Sequence, residues 1–184
     1  GIVKISRFGS DTANDLKVGL EDLKKSGINK IIVDLRSNPG GYLDTAVDVI
    51  SEFQSEGTAV IEKSKNQVSD LKMSAKSGGT MTDAKIIVLI DSGSASASEI
   101  VAGSLQDNKR ATILGQQSFG KGSVQEVVNF QPTGGKIKVT IAHWFTPNGK
   151  SIDKVGITPD IAVEDDSSTP ADEQLDRAFL EINK

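Results

Sequence analysis

Three short, almost unbroken apolar runs constrain this chain more than any other feature: INKIIVDL (Ile28–Leu35), KIIVLI (Lys85–Ile90) and ATIL (Ala111–Leu114). A strand with one wet face alternates apolar and polar residues. A strand that does not alternate is covered on both faces, as in parallel sheets. Segments of helical spacing lie between these runs. Asp11 to Lys25 carries Ala13, Leu16, Leu20 and Leu23 on one face and stops at Gly27. Leu43, Ala46, Val47, Ile50 and Phe53 form a second face, and Ile100, Val101, Ser104 and Leu105 continue a third. Gly1 to Arg7 and Thr58 to Lys63 complete the strands of this half. Strand and helix in alternation predict an α/β core.

The pattern changes after Gly122. Val124 to Phe130 and Lys136 to Phe145 alternate around Thr133-Gly134-Gly135, which predicts a hairpin. The fold class expected is therefore α/β with a mixed β-sheet flanked by helices, plus a C-terminal hairpin and a terminal helix. Ser64 to Asp83 is polar and reads as a loop. Asp165 to Pro170 is an acidic linker, and Asp172 to Asn183 is an amphipathic helix with Leu175, Ala178, Phe179 and Ile182 on its apolar face. These boundaries divide the chain into a core over 1–164 and a linker plus helix over 165–184. The opening GIVKIS reads as a strand already under way, so a longer protein is expected upstream.

Composition removes several chemistries. The 184 residues include no cysteine and one histidine, His143. A thiol nucleophile, a disulfide framework and a thiolate zinc site are excluded, and so is the HExxH motif within one chain. A net charge of -4 gives no basic footprint for nucleic acid. If the protein hydrolyses anything, it uses His143 or no histidine at all.

In such cores chemistry collects in loops at the carboxyl ends of strands. Two loops qualify: RSNPGG after IIVDL, and DSGSASASE after IIVLI. The serines of the second have a plain explanation as helix caps. They also suit a nucleophile, because a serine at a helix N-terminus sits beside unpaired N–H groups that can hold an oxyanion. A base for it is either His143, mid-strand with no acidic partner evident in sequence, or a lysine. Lys121 stands out, flanked by Gly120 and Gly122 after an aromatic residue, whereas most lysines lie in solvated runs. A lysine base must be neutral, which desolvation favours. GQQSFGKG (Gly115–Gly122) nearly matches a phosphate loop, but Gly122 stands where a hydroxyl is required and a strand follows. Ser118-Phe119-Gly120-Lys121 is an SxxK, but a glycine interrupts its would-be helical turn.

The run GSASASEIVAGSLQDNKRATILGQQSFGKGSVQ resembles the signature of the carboxyl-terminal processing (tail-specific) proteases, which are Ser-Lys peptidases. DLRSNPGGYLDTAVDV, HWFTPNGKSIDKVGITPDI and DEQLDRAFLEI resemble further stretches of that family, in the same order. The resemblance implies a ClpP/crotonase-like core. It implies Ser96 as nucleophile, Lys121 as general base and Gln125 as its support. It places the oxyanion hole at the N–H of Ala97 and of Gly41, with Gly40 as the alternative. Asp34, Arg36, Asp91 and Glu99 fall on motif positions and read as scaffolding. No metal or cofactor is implied. The partners implied are protein or peptide substrates engaged by their C-termini, with a PDZ domain outside this segment. The setting implied is extracytoplasmic (bacterial envelope or thylakoid lumen), with any membrane association arising from the missing N-terminal region. Two other functions use the same fold: a catalytically inactive ligand- or peptide-binding module, and a crotonase-like acyl-CoA enzyme.

Overall fold

The computed structural model describes residues 1–64, 70–130, 132, 134–165 and 168–184. The elements in chain order are β1 (Ile2–Lys4), α1 (Thr12–Lys25), β2 (Lys30–Asp34), α2 (Leu43–Phe53), β3 (Thr58–Lys63), β4 (Leu71–Ser74), β5 (Lys85–Ile90), α3 (Ala97–Asp107), β6 (Thr112–Gly115), β7 (Ser123–Asn129), β8 (Lys136–Phe145), β9 (Ile161–Ala162) and α4 (Glu173–Ile182).

The three apolar runs become the centre of a five-stranded parallel sheet, ordered β1-β2-β5-β6-β9. Successive side chains on a strand point to opposite faces. Ile31, Val33, Ile86, Val88, Ile90 and Ile113 therefore meet α1, α2 and α3 on one face. Ile32, Ile87, Leu89 and Leu114 meet Ala178 and Ile182 of α4 on the other. Burial on both faces is the reason these strands do not alternate.

The α/β class expected from sequence is found, with parallel and antiparallel strands separated into two sheets. The second sheet is antiparallel, ordered β4-β3-β8-β7. Helix α3 touches both β6 and β3. The core it shares includes Val60, Trp144 and Ile152. The predicted β7–β8 hairpin forms; Phe130 and Gly135 close it, and Thr133 lies outside the described residues.

Two expectations are corrected and one strand is added. The polar stretch Ser64 to Asp83 contains β4, a short edge strand whose LKMS sequence has no apolar run because it is at most half-buried. Strand β9 was not anticipated; it is two residues long and exists only by pairing with Leu114 and Gly115. On α4, Phe179 is exposed and Gln174 is buried in its place. The Gln174 amide donates to the Val163 carbonyl, so it fastens the helix to the chain leaving β9.

Candidate active site

Chain reversal at the carboxyl ends of β2 and β5 brings the two glycine- and serine-rich loops together. Asn38 is fully buried at their junction. Its amide nitrogen donates to the Ile5 carbonyl, and its side-chain oxygen accepts from the Gly40 N–H. Its own carbonyl accepts from the Ala95 N–H and the Ser98 hydroxyl. Asp91 adds a second tie: its carboxylate accepts from the N–H groups of Ser37 and Gly93. The Ser94 hydroxyl donates to the Leu35 carbonyl. So β1, β2 and β5 jointly hold one serine loop. Asn38 was not singled out from sequence; one residue tying three segments, by its side chain and its own carbonyl, is visible only once they meet.

Ser96 sits at the turn from that loop into α3, half-buried, with φ 57° and ψ -114°. Such angles cost a non-glycine residue about 1–3 kcal/mol and persist only where surroundings enforce them. This is a strained strand-to-helix elbow, a geometry that can hold a serine hydroxyl clear of the chain. Gly40 packs directly under it. A Cβ at Gly40 would stand 2.7 Å from the Ala95 carbonyl oxygen, 2.8 Å from Ser96 Cβ and 2.9 Å from the Ala97 nitrogen.

Of the three N–H groups expected to face an oxyanion, two are open and the third, that of Gly40, is engaged. Ala97 opens α3, and its N–H has no acceptor among the described residues, as helix geometry dictates for a first turn. The Gly41 N–H is likewise unpaired among them, and Gly41 is exposed. The Gly40 N–H is buried and already donated to Asn38, at 2.9 Å.

Lys121 lies in the segment running from β6 to β7. That segment docks on the elbow: the Phe119 N–H donates to the Ser94 carbonyl. Gly120 and Gly122 are buried while the Lys121 side chain is exposed, without a hydrogen-bond or ion-pair partner among the described residues. The expectation of a desolvated lysine is thus met for the backbone and not for the amine, because the flanking glycines let the main chain pack and leave the side chain pointing outward. Gln125 is exposed on β7, beside a bulge between Val124 and Gln125. Lys121 to Gln125 is an extended stretch, not a helical turn, and four residues of strand span about 13 Å. Two long side chains are needed to meet across it.

His143 is not isolated. It pairs in register with Ser123, and its Nδ1 lies 3.6 Å from an Asp153 carboxylate oxygen. Sequence gave no sign of that partner, because the loop carrying Asp153 returns against Gly122 only in three dimensions. No hydrogen bond joins His143 to Ser96 among the described residues.

Arg36 is scaffolding of an unusual kind. Its guanidinium pairs with both oxygens of Asp34 (2.9 and 2.9 Å) and both of Asp172 (2.7 and 2.8 Å). Asp172 also caps α4 by accepting from the Leu175 N–H. The two carboxylates raise the Arg36 pKa above its ordinary range. The Arg36 hydrogen bonds hold the Asp172 carboxyl below its usual value. The terminal helix is thereby anchored beside the RSNPGG loop.

Fold and site together define a two-sheet α/β core with a serine on a strained elbow, two open N–H donors and a nearby lysine loop. The chain belongs to peptidase family S41, which matches residues 1–163. It is 45% identical over 170 residues to a carboxy-terminal-processing protease of Bartonella bacilliformis, covering 89% of this chain and 38% of that protein. It is 36% identical over 185 residues to a carboxyl-terminal-processing protease of Synechocystis, covering 97% of this chain and 43% of that protein. Among solved structures, the photosystem II D1 C-terminal processing protease superposes with a TM-score of 0.84 at 33% identity, over 89% of this chain and 42% of that one. Mature CPAF bound to lactacystin shares the fold at 14% identity, with a TM-score of 0.77, over 100% of this chain and 50% of that one. The chain spans less than half the length of the curated relatives it matches.

Proposed function

We propose that the chain is the catalytic core of a serine endopeptidase that cuts proteins near their C-termini. The observation that carries this reading is the serine elbow: a strained Ser96 with two unpaired N–H groups, Ala97 beside it and Gly41 on the loop packed under it. Neutral Lys121 takes the proton from the Ser96 hydroxyl as its oxygen bonds to the scissile carbonyl carbon. The N–H groups of Ala97 and Gly41 hold the resulting oxyanion. Gly41 is favoured over Gly40 because the Gly40 N–H is already engaged by Asn38. Collapse breaks the C–N bond, and the Lys121 ammonium protonates the departing amine. Water, deprotonated by Lys121, then opens the acyl-enzyme and returns Ser96. Gln125 orients the lysine.

Lys121 is exposed in the free chain, so the polypeptide that lies over it in the complex supplies the desolvation a neutral amine needs. Substrate binding thereby becomes a condition for activating the base. The chemistry calls for no cofactor. Capture of the substrate's C-terminus belongs to sequence outside this segment, and a PDZ domain is the module proposed for it. The location proposed is extracytoplasmic; among the described residues no helix is long and apolar enough to cross a membrane. The test is to label the protein with a fluorophosphonate and assay peptide cleavage. Ser96→Ala should lose both signals, and Lys121→Ala should lose cleavage and slow labelling, with the fold intact by circular dichroism. Cleavage that persists in either variant overturns the dyad.

A further inference from the structure

Glu99 has no exposed surface, lies in the first turn of α3, and makes no ion pair among the described residues. The proposed reaction does not use it. Yet its carboxylate takes four hydrogen bonds, and their sources are specific. Oε2 accepts from the N–H of Ser96 at 2.7 Å and from the N–H of Lys121 at 2.9 Å. Oε1 accepts from the N–H of Gly120 at 2.6 Å and from the Ser118 hydroxyl at 2.6 Å. Ser118 in turn accepts from the Ile157 N–H at 2.7 Å.

A helix cap needs only the first of these bonds: the carboxylate three residues in reaches back to the cap N–H. The other three come from a different segment, 19 to 22 residues away. A single oxygen therefore fixes the backbone of both the proposed nucleophile and the proposed base. An ionised carboxylate is acceptor-only, so four donors can converge on it without a mismatch. An amide cannot do the same, because its NH2 would face two donors. Leaving such groups buried and unpaired is more costly than the net worth of the bonds.

We infer that Glu99 is a positioning residue that sets the Ser96 elbow and the Lys121 loop in one register. This rests on the dyad reading above and extends it: the distance between nucleophile and base is fixed through a shared buried anion, not by direct packing of their side chains. Helix α3 thereby carries the nucleophile at its tip and the base's tether one turn inside.

The experiment measures phosphonylation of Ser96 by a fluorophosphonate in Glu99→Gln, Glu99→Asp, Ser118→Ala, Lys121→Ala and the double variant Glu99→Gln/Lys121→Ala, alongside melting temperature. A misplacement of about 1 Å costs on the order of a hundredfold in rate, so Glu99→Gln in its folded form should phosphonylate about a hundredfold more slowly. Glu99→Asp keeps the charge with shorter reach and should recover part of that loss. Ser118→Ala removes one bond of four, leaves the backbone bonds intact, and should slow the reaction several-fold. The loss in the double variant should be smaller than the product of the two single losses, since part of what Glu99 does is to position the lysine that Lys121→Ala removes. If Glu99→Gln and Ser118→Ala melt lower but phosphonylate at the wild-type rate, Glu99 is a structural cap and the inference falls. Strictly additive losses in the double variant overturn it as well. Lys121→Ala at the wild-type rate would instead sink the dyad, a result distinct from either.

Discussion

Replacing Gly40 with alanine tests whether close approach of the two loops builds the site. The new methyl would stand 2.7–2.9 Å from Ala95, Ser96 and Ala97, where ordinary contact begins near 3.4 Å. All three obstacles sit on the elbow itself, so no flexible side chain can swing aside. The loops must part by about 0.6 Å, enough at this distance scale to move Gly41 and Ala97 off a shared oxyanion; a shift of about 1 Å costs roughly a hundredfold. Gly40 also has φ +99°, which a residue with a Cβ adopts at about 1–3 kcal/mol. Adding overpacking, the stability loss should be about 3 kcal/mol, or a fall of about 6–12 °C in Tm for a domain of this length. The assay is fluorophosphonate labelling below the melting transition, with Tm by circular dichroism. A variant that labels at the wild-type rate would show that Gly40 merely fills a turn.

Arg36→Met should lower Tm by several degrees, because it takes the guanidinium from Asp34, whose side chain is 8% exposed, and leaves it only Lys4 at 3.9 Å and the residue-36 N–H; the loss approaches that of a broken buried pair, about 3–5 kcal/mol. Asp172→Asn should cost far less, at most about 1 kcal/mol, since that carboxylate is 40% exposed and screened by salt. Calorimetry of the two variants checks the order, and equal losses would refute it. The same pair predicts an acid response. The folded Asp172 pKa lies below its ordinary 3.8, so its stabilisation is complete above about pH 4 and is lost as pH falls through the folded value. The hydrogen-exchange protection of α4, taken relative to the intrinsic rate at each pH, should therefore fall on acidification before that of β5, and less so in Asp172→Asn. Peptide cleavage should increase from acid toward neutral or alkaline pH, as a lysine base requires; an acid optimum would point to carboxylates. His143→Gln should leave cleavage largely intact; a loss above tenfold would bring the His143–Asp153 pair into the mechanism.

Much of this architecture was legible in the linear chain because its signals are local. Burial of both faces writes itself into IIVDL and KIIVLI, and helix α2 keeps its apolar face from Leu43 to Phe53 as the spacing predicts. Strands that owe their existence to a partner left no such mark: β4 is polar and β9 is two residues long. Phe179 shows the limit of periodicity, since a helix face can be apolar and still lie beyond the sheet it covers.

The site divides the same way. Residue type and order alone pointed to the serine loop after KIIVLI and to Lys121, because a chain with no cysteine and one histidine offers few routes to an activated nucleophile; the choice of Ser96, Ala97 and the glycine pair came from the resemblance to the tail-specific proteases. Only the folded chain separated Gly41 from Gly40, by pairing one N–H with Asn38 and leaving the other open. Only the folded chain supplied the Asp153 partner of His143 and put the Lys121 amine in solvent. Glu99 stood in the sequence as a residue after a serine loop. Its four donors come from two segments that meet in space, and a hydrogen-bond count of that kind has no local trace.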